Sequence, residues 1–530
     1  MIHVVILWCL LIAVNLAIRP LMPIDETRYV SVAWEMWTRG DFFVPYLNGE
    51  TYSHKPPLLF WLMQLSWSIF GVNEWTARLI SPLFALGSTL LSGNVAQKLW
   101  PQRPSVATHT PFILLGFSFW LIYSTLTMFD MLLAFFVLLA IYSMISLAQM
   151  PTWRSLFLLG VAIGGGMLSK GPVVLLQILP VAMLAPWWLQ NKPDTFYWRL
   201  WYVKLLVAIV IGAVIALAWA IPAGISGGED YRNAIFLGQT SGRLVESFAH
   251  KLPFWWYLVR LPLLLLPWLL FKPFWQGVRQ LSFNDYGVRF CIAWIVPVFI
   301  AFSLVSGKRI HYLLPLMPAL ALLLARVADE IHDVALWKRA FLNVWGGICI
   351  VLFLAASVML VNTQTHWFNI EFNALWLMGL AVLICISLVL LNVNNIKRIM
   401  LTSCLISIAI PSTLAMTYLE INAPRFDTQP IAQTIAQLRQ ENKNVAFYTG
   451  KYHDQFQFTG RLMQPLTLLR SPDALKNWIE QNQDGSVLVD SEKLPASVLI
   501  YSHSYRAGQL GFIASQTLIE QPDLIQLLPR

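Results

Sequence analysis

The sequence predicts a polytopic α-helical membrane protein with a small α/β domain at its C-terminal end. Three observations carry this. Of 530 residues, 57% are hydrophobic and only 12% are charged, against about 25% charged in a soluble domain. The apolar residues gather into thirteen runs, most of them near the roughly 20 residues that span a bilayer. From about Asn422 the composition changes, and short helix-like and strand-like segments replace the runs.

The thirteen runs centre near residues 11, 87, 117, 139, 163, 180, 212, 263, 297, 318, 350, 382 and 409. The first, Val4 to Ile18, lacks a basic start and a small-x-small cleavage site, so it reads as an uncleaved helix. The fifth and sixth are short and are parted by Ser169-Lys170-Gly171-Pro172. The Gly-Pro pair forces a break there. Gly164-Gly165-Gly166 sits within the fifth run and predicts close helix packing. All five cysteines (Cys9, Cys291, Cys349, Cys385, Cys404) lie in or beside apolar runs without metal-like spacing. They read as small buried hydrophobes, and no disulfide is expected.

Lys and Arg in the connections set the orientation. With the N-terminus in the cytoplasm, Lys98, Arg103, Arg154, Lys272, Arg279, Lys338 and Lys397 all fall inside. The first long loop (22–74) and the loop 224–254 then lie outside, as do the C-terminal residues. The expected division is a membrane domain over 1–420 and an outer α/β domain over 421–530. In the first loop, Thr27 to Thr38 and the run from Lys55-Pro56-Pro57 to Phe70 both predict interfacial helices, with Trp placed where bilayers favour it. In the last 110 residues, Ile431 to Gln440 and Pro472 to Gln481 predict helices. Asn444 to Tyr448, Gln455 to Phe458 and Ser486 to Asp490 predict strands.

The net charge of +9 comes with no separate basic block. This disfavours nucleic acid and fits positive inner loops and an anionic lipid partner. Polar side chains concentrate on the outer loops. Asp25-Glu26-Thr27-Arg28-Tyr29 follows the first helix, and Tyr52-Ser53-His54-Lys55-Pro56-Pro57 returns the chain to the membrane. The plain reading of the acidic pair is a helix-end cap; the functional one is a general base beside cations that hold a phosphate. Asp130 lies at the outer edge of a helix, where a carboxylate requires a partner. An ion pair to Arg28 or Lys55 is its plain role. Lys170 either snorkels at a helix end or binds phosphate. Arg243 and His250 lie in the second outer loop. His54 with His250 makes a candidate divalent-metal pair, short of a third ligand. Lys308-Arg309-Ile310-His311-Tyr312 is a basic cluster on the outer side, against the charge rule, which suggests an anionic ligand.

These motifs resemble the bacterial inner-membrane transferases that add 4-amino-4-deoxy-L-arabinose to lipid A, within the protein O-mannosyltransferase-like glycosyltransferases of the GT-C fold. The resemblance rests on Asp25-Glu26-Thr27-Arg28-Tyr29, Tyr52-x-x-Lys55-Pro56-Pro57, Asp130, Lys170-Gly171-Pro172, His250-x-x-Pro253-Phe254-Trp255 and Lys308-x-x-x-Tyr312-x-x-Pro315. It implies a sugar donor carried on undecaprenyl phosphate and lipid A as the acceptor. It implies Asp25 and Asp130 as catalytic carboxylates. Lys55, Arg243 and Tyr312 would hold the donor, together with Arg28, Tyr29, Tyr52, Lys170 and Lys308. The family carries Glu-Lys before the Pro pair where this chain has His54-Lys55, which alters the charge of an implied metal site shared with His250. Two rivals stand beside this reading: the same fold acting on a protein or another envelope glycan, and a transporter or flippase. A transporter places ionisable groups at broken helices near the midplane, whereas here they lie at the outer edge.

Overall fold

The computed structural model describes residues 2–190, 196–238, 252–365, 374–390 and 395–528. In chain order the principal helices are α1 (Ile2–Ile18), α2 (Asp25–Arg39), α3 (Leu58–Phe70), α4 (Glu74–Leu99), α5 (Pro104–Gly116), α6 (Ser118–Ser124), α7 (Phe129–Gln149), α8 (Trp153–Lys170) and α9 (Val173–Met183). They continue as α10 (Trp198–Ser226), α11 (Tyr286–Leu304), α12 (Met317–Asp329), α13 (Val334–Thr365), α14 (Ala374–Leu390), α15 (Ile396–Phe426), α16 (Gln429–Gln440) and α17 (Pro472–Gln481). Every one of the thirteen apolar runs carries helix. Among the described residues, seven helices are long and apolar enough to cross a membrane, or eight if α5 and α6, bent by 68°, form one span. Helices α1, α3 and α9 are apolar but shorter.

The chain divides into two compact units. One comprises Met1–Ala17, Ser53–Leu59 and Arg78–Thr417; the other comprises Ile18–Tyr52, Phe60–Ala77 and Tyr418–Arg530. This differs from a single cut at 420, because most of the first long loop groups with the C-terminal residues.

Within the helical unit, glycines let α8 lie against its neighbours. A Cβ on Gly160 would stand 2.6 Å from Ile211 Cβ of α10, and one on Gly165 would stand 2.3 Å from Phe136 of α7. Both are far inside contact distance, so only glycine fits. The break expected at Gly171-Pro172 is present. Gly171 has φ 78°, its N–H bonds to Met167 O at 2.8 Å, and helix resumes at Val173. A residue with a side chain would be strained in that conformation. The start of α7 is fixed by Ser81, whose hydroxyl donates to Met128 O (2.9 Å) and accepts from Met128 N–H (3.0 Å). At the far end of the bundle, Asp285 caps α11 and accepts from Trp100 Nε1 (2.7 Å) and Arg326 Nε (3.0 Å).

The second unit is built on a five-stranded sheet. Its strands are β3 (Val445–Tyr448), β4 (Thr467–Leu469), β5 (Ser486–Asp490), β6 (Tyr501–Tyr505) and β7 (Gly508–Ala514), and a short hairpin β1 (Tyr46–Leu47) and β2 (Glu50–Thr51) precedes them in the chain. The sheet order is β4-β3-β5-β7-β6; β3 runs parallel to β4 and β5, and β7 antiparallel to β5 and β6. Alternation splits the core into two faces. Val445, Phe447, Leu488 and Phe512 pack with Ile431 and Ile435 of α16, while Ala446, Tyr448, Val487 and Val489 pack with Leu475 and Ile479 of α17.

Gln455 to Phe458, expected as a strand, is a run of turns. Its alternating aromatics serve two sites rather than two faces of a sheet. Phe456 joins Phe447 and Tyr452 in the core, whereas Phe458 stacks on Trp67 at 5.4 Å. The Phe458 N–H donates to Ser31 Oγ (3.2 Å), and Trp34 Nε1 donates to Leu462 O (3.0 Å). These contacts are why α2 belongs to this unit.

Candidate active site

The candidate residues fall into two groups, one in each unit. In the helical unit, Asp130 occupies the first turn of α7 and Lys170 the last turn of α8. Each charge suits its helix dipole: the carboxylate at an N-terminus, the ammonium at a C-terminus. They form a buried ion pair, Lys170 Nζ to Asp130 Oδ1 at 2.5 Å. The partner is therefore Lys170, rather than the Arg28 or Lys55 expected. Lys170 Nζ also lies 4.6 Å from the Tyr312 ring centre, and Lys55 Nζ lies 5.6 Å from that of Phe129. Lys170, His311 and Lys55 are all within electrostatic reach of Asp130. His311 packs between Tyr312 (5.0 Å) and Tyr123 (5.8 Å). Backbone contacts set this corner: Gln177 Nε2 reaches Tyr312 O at 3.5 Å, and the Tyr257 hydroxyl donates to Arg309 O at 2.9 Å.

The result is one buried carboxylate among two ammonium groups, an imidazole and a phenol. Such a cluster can hold a phosphate ester and take up charge on its oxygens as they leave. Lys308 does not join it. Its Nζ donates to Leu252 O (3.0 Å) and to Val305 O, and it is only 3% exposed. Lys308 thus closes off backbone carbonyls after α11.

In the other unit, Asp25 and Arg28 pair across the first turn of α2. The Tyr29 hydroxyl reaches the same Asp25 oxygen at 3.4 Å, and the Arg28 guanidinium lies 5.3 Å from the Tyr29 ring centre. Burial works against the Arg28 cation, but Tyr52, Tyr29 and Asp25 outweigh it, so its pKa stands above the ordinary value. The adjacent acids have different fates. Glu26 is buried and held by Arg19 and by Met22 N–H (3.0 Å). The Asp25 carboxylate keeps 46% of its exposure, which leaves it open to an incoming group. His453, unforeseen in the sequence, lies within reach of Arg28 and Asp25. Burial, followed by the Arg28 charge, holds its pKa below the usual value.

Arg243 and His250 lie outside the described residues. His54 is exposed, and among the described residues no three His, Cys, Asp or Glu side chains are grouped to hold a metal. Arg19 and His453 were not singled out in the sequence, and His311 was named there only as part of the 308–312 cluster. His311 carried a signal in its place beside Tyr312, but Arg19 and His453 carried none.

The chain is similar to several known proteins. Residues 54–219 match the dolichyl-phosphate-mannose-protein mannosyltransferase family. The undecaprenyl phosphate-α-4-amino-4-deoxy-L-arabinose arabinosyl transferase of Serratia proteamaculans is 30% identical over 391 residues, covering 69% of this chain and 67% of that protein. Its namesake in Yersinia pestis is 30% identical over 376 residues, covering 67% of this chain and 65% of that protein. The chain thus spans about two thirds of the length of these relatives. Among solved structures, ArnT from Cupriavidus metallidurans bound to undecaprenyl phosphate superposes with a TM-score of 0.71 at 21% identity, covering 97% of this chain and 96% of the other. The oligosaccharyltransferase of Archaeoglobus fulgidus gives 0.53 at 12% identity, covering 92% and 69%. The fold is that of these membrane glycosyltransferases, and the chain belongs to the family of undecaprenyl phosphate-α-4-amino-4-deoxy-L-arabinose arabinosyl transferases.

Proposed function

We propose that this protein moves 4-amino-4-deoxy-L-arabinose, or a closely similar sugar, from undecaprenyl phosphate to lipid A at the periplasmic face of the inner membrane. The relation to the Serratia enzyme carries this reading, and the Asp130, Lys170, Lys55 and Tyr312 cluster supports it chemically. Thirteen spans, a cytoplasmic N-terminus and a periplasmic C-terminal domain complete the topology.

In the reaction an acceptor oxygen attacks the anomeric carbon. The bond from that carbon to the phosphate oxygen breaks, and undecaprenyl phosphate leaves with the electron pair. Lys170 and Lys55 stabilise the charge gathering on the departing phosphate. Asp130 holds the Lys170 ammonium in place, and the Tyr312 ring adds a cation–π contact. The family resemblance also gives Arg28, Tyr29, Tyr52 and Arg243 as donor-binding residues. Asp25 orients the acceptor or takes its proton; a lipid A phosphate needs little deprotonation, a hydroxyl more. A divalent ion held by His54 and His250 is a separate proposal, and no step here is routed through it. Lys308 bonds two backbone carbonyls and keeps one donor for a ligand.

Purified protein, undecaprenyl-phosphate-linked aminosugar and lipid A test the reading directly. Lipid A gaining one sugar mass is the expected product. No transfer to lipid A, with transfer to a membrane protein or another glycan instead, would replace the acceptor. The match of residues 54–219 to a protein mannosyltransferase family keeps that second reading specific.

A further inference from the structure

A polar cavity lies at the other end of α7 and α8, away from Asp130 and Lys170. Its volume is about 340 Å³, within the range of about 300–1,000 Å³ that holds small ligands. Lys98, Tyr142, Ser146, Thr152, Arg154 and Ser155 line it, together with further neutral side chains, and among the described residues no carboxylate does. Lys98 Nζ lies 4.9 Å from the Tyr142 ring centre. Among the described residues neither Lys98 nor Arg154 forms an ion pair. Thr152 caps α8 by accepting from Ser155 N–H at 3.2 Å. The wall of the cavity is therefore the N-terminal turn of an 18-residue helix, where backbone N–H groups and the dipole favour an anion.

We propose that this cavity binds the phosphate of an anionic phospholipid headgroup, in the leaflet opposite the one that holds the sugar donor. Two cations, a helix N-terminus and several hydroxyl groups line a concave space. That goes beyond what Lys and Arg scattered through inner loops require. The Lys98 ammonium and the Arg154 guanidinium pair with the phosphate oxygens, and the Ser155 hydroxyl and the first backbone N–H groups of α8 supply the neutral donors. The site gives the bundle a charge-specific anchor at the end remote from catalysis.

Full-length protein in detergent, titrated with phosphatidylglycerol and read by native mass spectrometry, tests this. One tightly held phosphatidylglycerol is expected, with phosphatidylcholine binding weakly. Lys98→Ala with Arg154→Ala should weaken that binding by roughly 25-fold, from about fivefold for each basic residue lost near a charged membrane. Lys98→Arg with Arg154→Lys should retain it, which separates lost charge from lost folding. Arg154→Ala alone, at an exposed position, should give about fivefold. Equal phosphatidylglycerol binding by wild type and the double alanine variant would overturn the proposal. So would inorganic phosphate competing as well as the lipid, because the site would then take free anions rather than a headgroup.

Discussion

Replacing Lys170 separates what the Asp130 pair does for the fold from what it does for the reaction. At 2.5 Å and an effective dielectric of about 20, the gross attraction is about 7 kcal/mol. Desolvation of two buried charges offsets much of it. Removing one partner is a different matter, because Asp130, at 3% exposure, loses the ammonium bonded directly to it. Lys170→Met should therefore cost about 3–5 kcal/mol. With roughly 2 cal/mol/K of unfolding entropy per residue, that is a fall of about 3–5 °C in Tm. Asp130→Asn with Lys170→Met removes both charges and should recover most of the loss. Transfer should stay abolished in both variants, because the ammonium facing the donor phosphate is gone in each. The assay pairs thermal unfolding in detergent with turnover of the polyprenyl donor. A double variant as unstable as Lys170→Met would refute the ion-pair reasoning. A double variant with wild-type turnover would refute the assignment of Lys170 to the phosphate.

Other expectations follow from the same geometry. Gly165→Leu should disrupt the packing of α8 on α7, since even a Cβ would meet Phe136 at 2.3 Å; well-folded protein at wild-type yield would contradict this. Glu26→Gln should destabilise more than Asp25→Asn, by about 3–5 kcal/mol against near zero, because Glu26 alone is buried against Arg19. The pair Asp454 and Glu35 predicts a pH dependence in the C-terminal unit. Asn48 N–H donates to Asp454 Oδ2 (3.3 Å) and Gly49 N–H to Glu35 Oε1 (2.8 Å), so adjacent amides hold the two carboxylates side by side. Burial, then the charge of Glu35, raises the Asp454 pKa well above its usual value, and burial raises that of Glu35. A raised folded pKa gives stability that is full below the unfolded value near 4 and is lost as pH rises through the folded one. Asp454→Asn should therefore stabilise this unit at pH 8 by about 1–3 kcal/mol and flatten its pH profile. Slower hydrogen exchange over residues 445–466 would register the gain, and faster exchange would contradict it. If His54 and His250 hold a divalent ion, EDTA stops transfer and His54→Ala reproduces the loss; full turnover in EDTA removes the metal.

Much of the fold was legible because its signals are local. Apolar runs mark the helices, Gly171-Pro172 marks the break after α8, and the short apolar, β-branched and aromatic runs Val445 to Tyr448 and Ser486 to Asp490 mark two strands. The hairpin β6–β7 was not legible, because Ser502, His503, Ser504 and Gln509 carry weak strand preference and its pairing is set by the neighbouring β5. Nor was the grouping of the first loop with the C-terminal residues, since contacts such as Trp34 to Leu462 join positions 428 apart. The chemistry shows the same division. Asp25, Lys55, Asp130 and Lys170 stood out as charges at membrane edges. Which cation meets Asp130 depends on how two helices pack, and no spacing records that. Lys308 is a related case: a Lys on the unexpected side suggests a ligand, and two of its three ammonium donors go to backbone carbonyls.

Asp25→Asn tests the central claim most directly, read by mass spectrometry of lipid A from cells that depend on this protein for the modification. The carboxylate is half open to solvent, so the amide should leave folding and membrane insertion unchanged. The account predicts a lipid A sugar adduct with the wild-type protein and a loss of about 100-fold or more with the variant. An adduct of wild-type abundance from Asp25→Asn would contradict it.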